Sequence, residues 1–264
     1  MTRQQLAKKV AKEAGKYLLK GFFKFQPKEK SYKANRTTVT KYDKGAEKII
    51  LSAIKKYFPN DAILSEEAGA NNKSSEYLWI VDPLDGTRNF TMRNPIFSVA
   101  IAVIHLPGKK IERAIIQYGI VYVPVLKDLY EASAGKGARL NNKKIKVSKI
   151  AKLADAQHTF CHGQGSVYMS KSGRYNLILK KKNIDARQLG SAAIELALVA
   201  SSRSESIVIP GANAWDVAAG VLLVREAGGK VTDIDNNMWR LNSRDMVATN
   251  GKVHKAVLKI FKNA

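Results

Sequence analysis

Residues 79–90 read Trp79-Ile80-Val81-Asp82-Pro83-Leu84-Asp85-Gly86-Thr87-Arg88-Asn89-Phe90. Trp79 to Val81 are bulky and β-prone, and they predict the end of a buried strand. Pro83 has no N–H for a ladder, so the strand is expected to stop there. Gly86 and Thr87 follow as turn and helix-start residues. Asp82 and Asp85 then share a tight bend at a strand's end. Two anions held that close cost free energy unless something positive joins them, and a hard divalent cation bound by oxygens is the natural partner. The Leu84 carbonyl lies between them as a possible third ligand. Backbone N–H groups at Gly86 and Thr87 would face the same point, where a helix start favours phosphate. A metal beside a phosphate cradle suggests phosphoryl chemistry. A bare D-x-x-D would more simply be a capped turn with two solvated acids, but the twelve-residue string is far more specific.

The rest of the composition sets bounds. At 264 residues the chain can bury a sizeable core, as one large domain or two intimate halves. Its single cysteine, Cys161, allows no internal disulfide and fits a reducing compartment. No stretch resembles a signal peptide or reaches the roughly 20 apolar residues of a membrane span. A cytoplasmic protein without a membrane partner is expected. The charge is unusual, with 45 Lys and Arg against 22 Asp and Glu, a net +23. Such a field attracts polyanions and phosphorylated metabolites. The cations are spread along the chain, with local clusters at 143–146 and 180–182, and no zinc-finger, RNP-like or zipper pattern accompanies them. Nucleic-acid binding, if present, is therefore expected to be weak and non-specific.

Outward from the central string, Leu6, Val10, Ala14, Tyr17 and Leu18 mark an amphipathic helix within 3–25. Its apolar stripe is read as core-facing rather than membrane-bound. Pro27 and several lysines make 26–36 a loop or hairpin. A second helix over about 42–58 has Asp43 in its first turn, where the helix dipole favours an acid. A short strand at 62–65 ends in Glu66-Glu67. Strands are expected at 96–104 and 111–123, joined by the turn 105–108, then at 129–132 and within 135–148. His158, Cys161 and His162 sit in a strand and loop. They lack zinc spacing, and only a remote case exists for Cys161 as a nucleophile. Helices follow near 170–182 and from Gly190 to about Ser202, with a strand at 206–209. Residues 216–227 are apolar on nearly every side and predict a buried helix that opens on Asp216 and ends at Gly228-Gly229.

The string Asp82-Pro83-Leu84-Asp85-Gly86-Thr87-Arg88-Asn89-Phe90 resembles the D-P-[ILV]-D-G-T-x-N-F signature of the inositol monophosphatase family of magnesium-dependent, lithium-sensitive phosphatases. Three further segments resemble family motifs in the same order. Thr40-Lys41-Tyr42-Asp43 is similar to its T-x-x-D element, Leu64-Ser65-Glu66-Glu67 to [ILV]-x-E-E, and Trp215-Asp216 with Glu226-Ala227-Gly228-Gly229 to W-D-x-A-A-G…E-A-G-G. The resemblance covers roughly 40–250. It implies an α+β fold, a layered α/β/α/β/α sandwich of the inositol monophosphatase / fructose-1,6-bisphosphatase type. The chain would be a single catalytic unit, 1–264. Residues 1–148 would form an N-terminal α+β half with the main metal motifs, and 149–264 a C-terminal α/β half completing the site.

By the same resemblance Glu66, Asp82, Asp85, Asp216 and the Leu84 carbonyl are metal ligands, with Glu67 behind Glu66. Oxygen donors suit magnesium better than zinc, and two or three Mg2+ ions could share them. Thr87 and Asp43 would orient and deprotonate the attacking water, and no phosphoenzyme is expected. Gly86, Thr87, Gly190, Ser191 and Ala192 would border the substrate. A phosphorylated small molecule is the expected partner, inositol-1-phosphate or a similar polyol or sugar phosphate by default, and a homodimer is implied. A 3'(2'),5'-bisphosphate nucleotidase, a fructose-1,6-bisphosphatase and a nucleic-acid-associated protein with a secondary phosphatase site are the alternatives. One departure bears on substrate. Inositol-preferring relatives carry a glutamate seven residues before the ligating aspartate, and here that position is Ile209. Glu205 lies about 13 Å further back along the strand at roughly 3.3 Å per residue, a poor substitute.

Overall fold

The structure, a computed structural model, describes residues 1–32 and 38–264. The expected loop at 26–36 therefore lies partly outside the described residues. Its described part forms a hairpin in which β1 (Lys30–Tyr32) pairs antiparallel with β2 (Thr38–Thr40).

Two helices open the chain, α1 (Arg3–Phe22) and α2 (Lys41–Tyr57). Both begin with capping boxes, Thr2 with Gln5 and Thr40 with Asp43. Leu6, Val10, Ala14 and Leu18 recur at i+4 along α1 and are fully buried, the stripe that the periodicity predicts.

An eight-stranded sheet follows, built from β3 (Ala62–Ser65), β4 (Gly69–Ala70), β5 (Tyr77–Asp85), β6 (Ser98–His105), β7 (Ile115–Val123), β8 (Asp128–Ser133), β9 (Ala138–Leu140) and β10 (Lys143–Ile145), with the one-turn helix α3 (Thr87–Thr91) after β5. Its order is β10-β9-β8-β7-β6-β5-β3-β4, with β3 parallel to β5 and the other pairs antiparallel. Alternation sorts its side chains. On β6, Val99, Ile101 and Val103 join the core under α1 and α2, while Ala100, Ala102 and Ile104 join the core on the opposite face.

That second core is filled by α5 (Ala192–Ala200) and α6 (Ala214–Glu226). Beyond it lies a five-stranded sheet of β11 (His158–Phe160), β12 (Ala186–Arg187), β13 (Ser206–Ile209), β14 (Lys230–Thr232) and β15 (Met246–Thr249), in the order β12-β11-β13-β15-β14. α4 (Ser166–Lys181) and α7 (His254–Lys262) cover its outer face. The layers are thus α/β/α/β/α. Being sandwiched between two sheets, α6 is apolar all round rather than amphipathic.

Several local expectations are corrected. β5 does not stop at Pro83 but runs on to Asp85. Its register with β6 shifts between Asp82, opposite Ala100, and Asp85, opposite Ser98. Pro83 lies inside that bulge, where no ladder N–H is required, and the Leu84 N–H turns back onto Asp82 Oδ1 at 3.0 Å. Residues 111–113 are a 3₁₀ turn ahead of β7. α4 begins at Ser166, and Asp216 is the third residue of α6, with Asn213 as the cap.

Candidate active site

The bulge in β5 places Asp82, Leu84 and Asp85 on one irregular turn of backbone, and each is buried. Gly86 follows at φ 89°, and a Cβ there would stand 2.8 Å from the Ile96 carbonyl oxygen. Only glycine makes this turn into α3 without strain. α3 is a single turn, so any anion held there answers to individual N–H groups rather than to a long helix dipole.

Glu66 arrives from the end of β3, which runs parallel to β5, and its N–H donates to the Val81 carbonyl at 3.1 Å. Glu47 fixes the same turn from below. Its carboxylate accepts the Ser65 hydroxyl and, at 3.0 Å, the Ala68 N–H. Asp216 is delivered by the first turn of α6, where its Oδ2 accepts from Asn213 N at 3.3 Å and Asn213 Nδ2 at 3.0 Å.

Glu66, Asp85 and Asp216 line one cavity of about 410 Å³, and Asp82 lies behind them. Electrostatics links the four. Burial pushes Asp82 well above the usual carboxylate range, and the charges of Glu66, Asp85 and Asp216 push it further. Asp216 is raised to about 7, first by burial and then by Glu66 and Asp85. Burial lifts Asp85 to about 6 against the pull of its hydrogen bonds to Ser191, Ala193 and Ser98. Acids raised by burial and by neighbouring negative charge in this way gain most from a cation.

At the edge of the set, Thr87 Oγ1 donates to Asp43 Oδ1 at 2.8 Å and lies 3.1 Å from the Leu84 carbonyl. The other oxygen of Asp43 accepts from Thr40 N and Thr40 Oγ1, both at 2.7 Å. Asp43 is therefore a helix cap and a partner of Thr87 at once. Burial raises its pKa despite these bonds.

The cavity's other wall is tied to the first by Asn89, a residue of the central string with no expected role, and by Glu195, which no motif marks. Asn89 Nδ2 donates to the Ile96 and Leu189 carbonyls, both at 2.8 Å, and reaches the Gly190 carbonyl at 3.3 Å. Glu195, fully buried in α5, accepts the N–H groups of Leu189 at 3.1 Å and Gly190 at 3.0 Å. Gly190 and Ala192 line the cavity, but Ser191 does not. It is fully buried, and its hydroxyl donates to Asp85 Oδ2, which also accepts from Ala193 N at 3.0 Å. An extended backbone at Ser191 turns its side chain opposite to its neighbours', so it positions Asp85 instead of meeting the substrate. The sequence signal for Glu47 is its place one helical turn after Asp43. For Glu195 it is a lone acid in an apolar helix.

Cys161 also faces the cavity, but its thiol donates to Glu195 Oε1 at 3.2 Å, and burial raises its pKa well above normal. Of the nearby histidines, His158 bonds to Ser206 and the Leu153 carbonyl, and His162 to the Gly163 carbonyl. A thiolate nucleophile is not built here. Arg88, Trp215 and Ile209 complete the leaving-group side. Glu205 is buried elsewhere and accepts the Gln157 N–H.

A five-layered sandwich with a buried acidic cleft at the junction of its two sheets defines a class of phosphatases. The chain belongs to the inositol monophosphatase family, whose model matches residues 2–264. Members of that family are hydrolases of small phosphorylated substrates that use divalent metal, with magnesium dependence and lithium sensitivity typical. An inositol-1-monophosphatase of Mesorhizobium japonicum is 36% identical over 259 residues, 96% of this chain and 93% of that protein. A putative Nus factor SuhB of Neisseria meningitidis is 36% identical over 257 residues, 96% of this chain and 95% of that protein. The solved structure of a Thermotoga maritima IMPase superposes with a TM-score of 0.88 at 30% identity, covering 100% of this chain and 98% of that one. Among the described residues, no helix is long and apolar enough to cross a membrane.

Proposed function

We propose that this protein is a magnesium-dependent phosphomonoesterase acting on a small phosphorylated metabolite, a polyol or sugar phosphate of the inositol-1-phosphate kind. The observation that carries this reading is the convergence of Glu66, Asp85 and Asp216 on one cavity, with the buried Asp82 raised by their charges and the Thr87–Asp43 hydrogen bond beside the Leu84 carbonyl. Both halves, 1–148 and 149–264, supply residues, so they act as a single catalytic unit.

The donor set fits magnesium. It is all oxygen, and Asp82 and Asp216 are raised by burial and by the negative charges around them. Among the described residues, no three His, Cys, Asp or Glu side chains are placed to hold a metal ion by themselves. Magnesium is held by a few carboxylates, substrate phosphate and water rather than by an all-protein cage. Glu66, Asp82, Asp85, Asp216 and the Leu84 carbonyl would hold two or three ions, with Glu67 supporting Glu66. When bound, such ions neutralise the phosphate and acidify water.

The chain's own residues do the rest. Thr87 Oγ1 commits its hydrogen to Asp43 and keeps a lone pair to accept a proton from the attacking water. Asp43, made more basic by burial, receives the Thr87 proton in turn. The Gly86 and Thr87 N–H groups face the phosphate, while Gly190 and Ala192 wall the leaving group. Ser191 holds Asp85 in place. Ile209 offers the leaving group no acceptor, so inositol is not uniquely preferred. Arg88 on the cavity wall favours a second anionic group on the substrate. The family resemblance also supports a homodimer.

The test is phosphate release from inositol-1-phosphate, glycerol-2-phosphate, fructose-1,6-bisphosphate and adenosine 3',5'-bisphosphate, with and without magnesium. Turnover of at least one substrate that chelator abolishes is expected. No release from any of them would sink the reading. A second reading is association with nucleic acid. It is favoured by the excess of 45 Lys and Arg over 22 Asp and Glu.

A further inference from the structure

The tertiary structure gathers part of the diffuse positive charge into one place. α1 packs over β6 and β7 on one face of the large sheet. Beside it, the same face of β8 and β9 forms the far wall of a trough. Two cavities of about 320 and 410 Å³ are lined there by successive turns of α1. Gln4 and Lys8 of α1 line the first, and Lys12, Lys16 and Leu19 line the second, a row at i+4 spacing on one side of the helix. Across from them, Ser133, Glu131 and Leu129 are alternate residues on one face of β8, and Lys127 stands in the turn just before it. Arg139 of β9 and Asn141 in the turn after it line the same two cavities. From Gln4 to Leu19 the lined length is about 22 Å at 1.5 Å per helical residue.

Both walls are cationic, with Lys8, Lys12 and Lys16 on the helix facing Lys127, Lys136 and Arg139. Glu131 is the one acid in either lining, and it is already occupied. Lys8 Nζ lies 2.7 Å from one oxygen, and the Tyr118 hydroxyl donates to the other at 2.7 Å. Lys12, Lys16 and Lys136 are exposed, and no carboxylate among the described residues pairs with them. Lysines at i, i+4 repel and weaken the helix that carries them, so the row is not explained by the stability of α1. Tyr122, half-buried with its ring against Gly15, supplies an aromatic surface on the floor.

We propose that this trough binds single-stranded nucleic acid, RNA or DNA, through its phosphates. The inference rests on the second reading above and gives it a location away from the acidic cleft. A cation-lined groove with an aromatic floor is how sequence-tolerant single-strand binding works. The trough's length accommodates about six nucleotides at 3.4 Å per stacked base.

The experiment is fluorescence anisotropy of the full chain with labelled oligo-U and oligo-dT of about a dozen nucleotides, between about 50 and 200 mM salt. Two variants with equal change in net charge are compared, Lys12→Glu/Lys16→Glu/Lys136→Glu in the trough and Lys180→Glu/Lys181→Glu/Lys182→Glu at the end of α4. The wild type is expected to bind both strands with strong salt dependence. The trough variant should lose roughly 30-fold or more in affinity, and its log–log salt slope should fall by about 2, at 0.7 per phosphate contact. The α4 variant should lose no more than about threefold. Tighter oligo-U binding would assign RNA, and equal binding would assign the backbone alone. Equal losses in the two variants would overturn the trough while leaving diffuse nucleic-acid binding standing. No wild-type binding would sink both. Equal competition by a duplex or by polyglutamate would also overturn the proposal. Thermal unfolding midpoints check folding. Should the trough variant misfold, Lys12→Gln/Lys16→Gln/Lys136→Gln removes the same contacts and must lower the slope equally.

Discussion

Replacing Asp43 with asparagine changes one oxygen for an amide nitrogen at the centre of the proposed proton path. In the wild type one carboxylate oxygen accepts both Thr40 donors and the other accepts from Thr87 Oγ1. The remaining oxygen of the Asp43→Asn side chain would keep the Thr40 bonds and so preserve the cap of α2. Its NH₂ would then face Thr87, which must turn its own hydrogen to the Leu84 carbonyl, 3.1 Å away. Thr87 thereby changes from donor to acceptor at this contact and can no longer pass its proton to residue 43. The neutral amide also cannot take up a proton. Loss of a positioned general base typically costs about 10²–10⁴ in rate, or roughly 3–5 kcal/mol in the barrier at 1.36 per tenfold. Stability should change little, because the lost charge-assisted bonds offset the relief of burying a charge. The assay is steady-state phosphate release across a magnesium titration, with the thermal midpoint measured alongside. A fall in kcat of at least about a hundredfold is expected, with KM and the magnesium midpoint nearly unchanged. Turnover at the wild-type rate, or a loss recovered entirely by raising magnesium, would refute the role given to Asp43.

Other outcomes are equally specific. Asp85→Asn and Asp216→Asn should each lose roughly 10²–10³ in rate while remaining folded, as expected for removal of one preorganised electrostatic contact, and exhaustive chelation of the wild type should abolish activity. Ile209→Glu should raise kcat/KM for inositol-1-phosphate relative to glycerol-2-phosphate, by about 1–3 kcal/mol if a ring hydroxyl gains its acceptor; an unchanged ratio would remove Ile209 from specificity. Gly119→Ala would place a Cβ 2.7 Å from the Ala219 carbonyl oxygen and should cost about 1–3 kcal/mol in denaturant unfolding. His254 is buried between the hydroxyls of Thr232 and Thr249, and burial lowers its pKa to about 4. The unfolded chain then binds more protons between pH 6.5 and 4. Stability is therefore intact above the unfolded value and falls as pH drops through this window, by at most about 3 kcal/mol. His254→Gln should flatten that part of the stability–pH curve.

The segments that proved legible are those whose chemistry is local. Asp82, Leu84 and Asp85 lie within four residues, and the backbone itself brings them together. Thr40 and Asp43 lie one helical turn apart, so cap and candidate base could be read as one unit. Period alone marked α1, and unbroken apolarity marked α6, because a helix between two sheets has no solvent face. The sequence alone also determined that the candidate ligands are oxygen and that Ile209 breaks the expected pattern. What it could not convey depends on contacts between distant residues. Pro83 terminates a strand by its own chemistry, but a bulge opposite β6 removed the ladder bond it would have broken. Ser191 has the look of a cavity residue along the chain, yet its hydroxyl is spent on Asp85, 106 positions earlier. Asn89 and Glu195 grip the carbonyls and the N–H groups of the same 189–190 segment from two different layers, and no spacing rule connects them. The lysines of α1 and the cations of the 127–139 region are remote in the chain and gather only because α1 lies across the sheet beside β8. Side-chain type and local spacing are written along the chain, whereas burial, and with it the strength of every charge in the cleft, is a property of the layers that close over it.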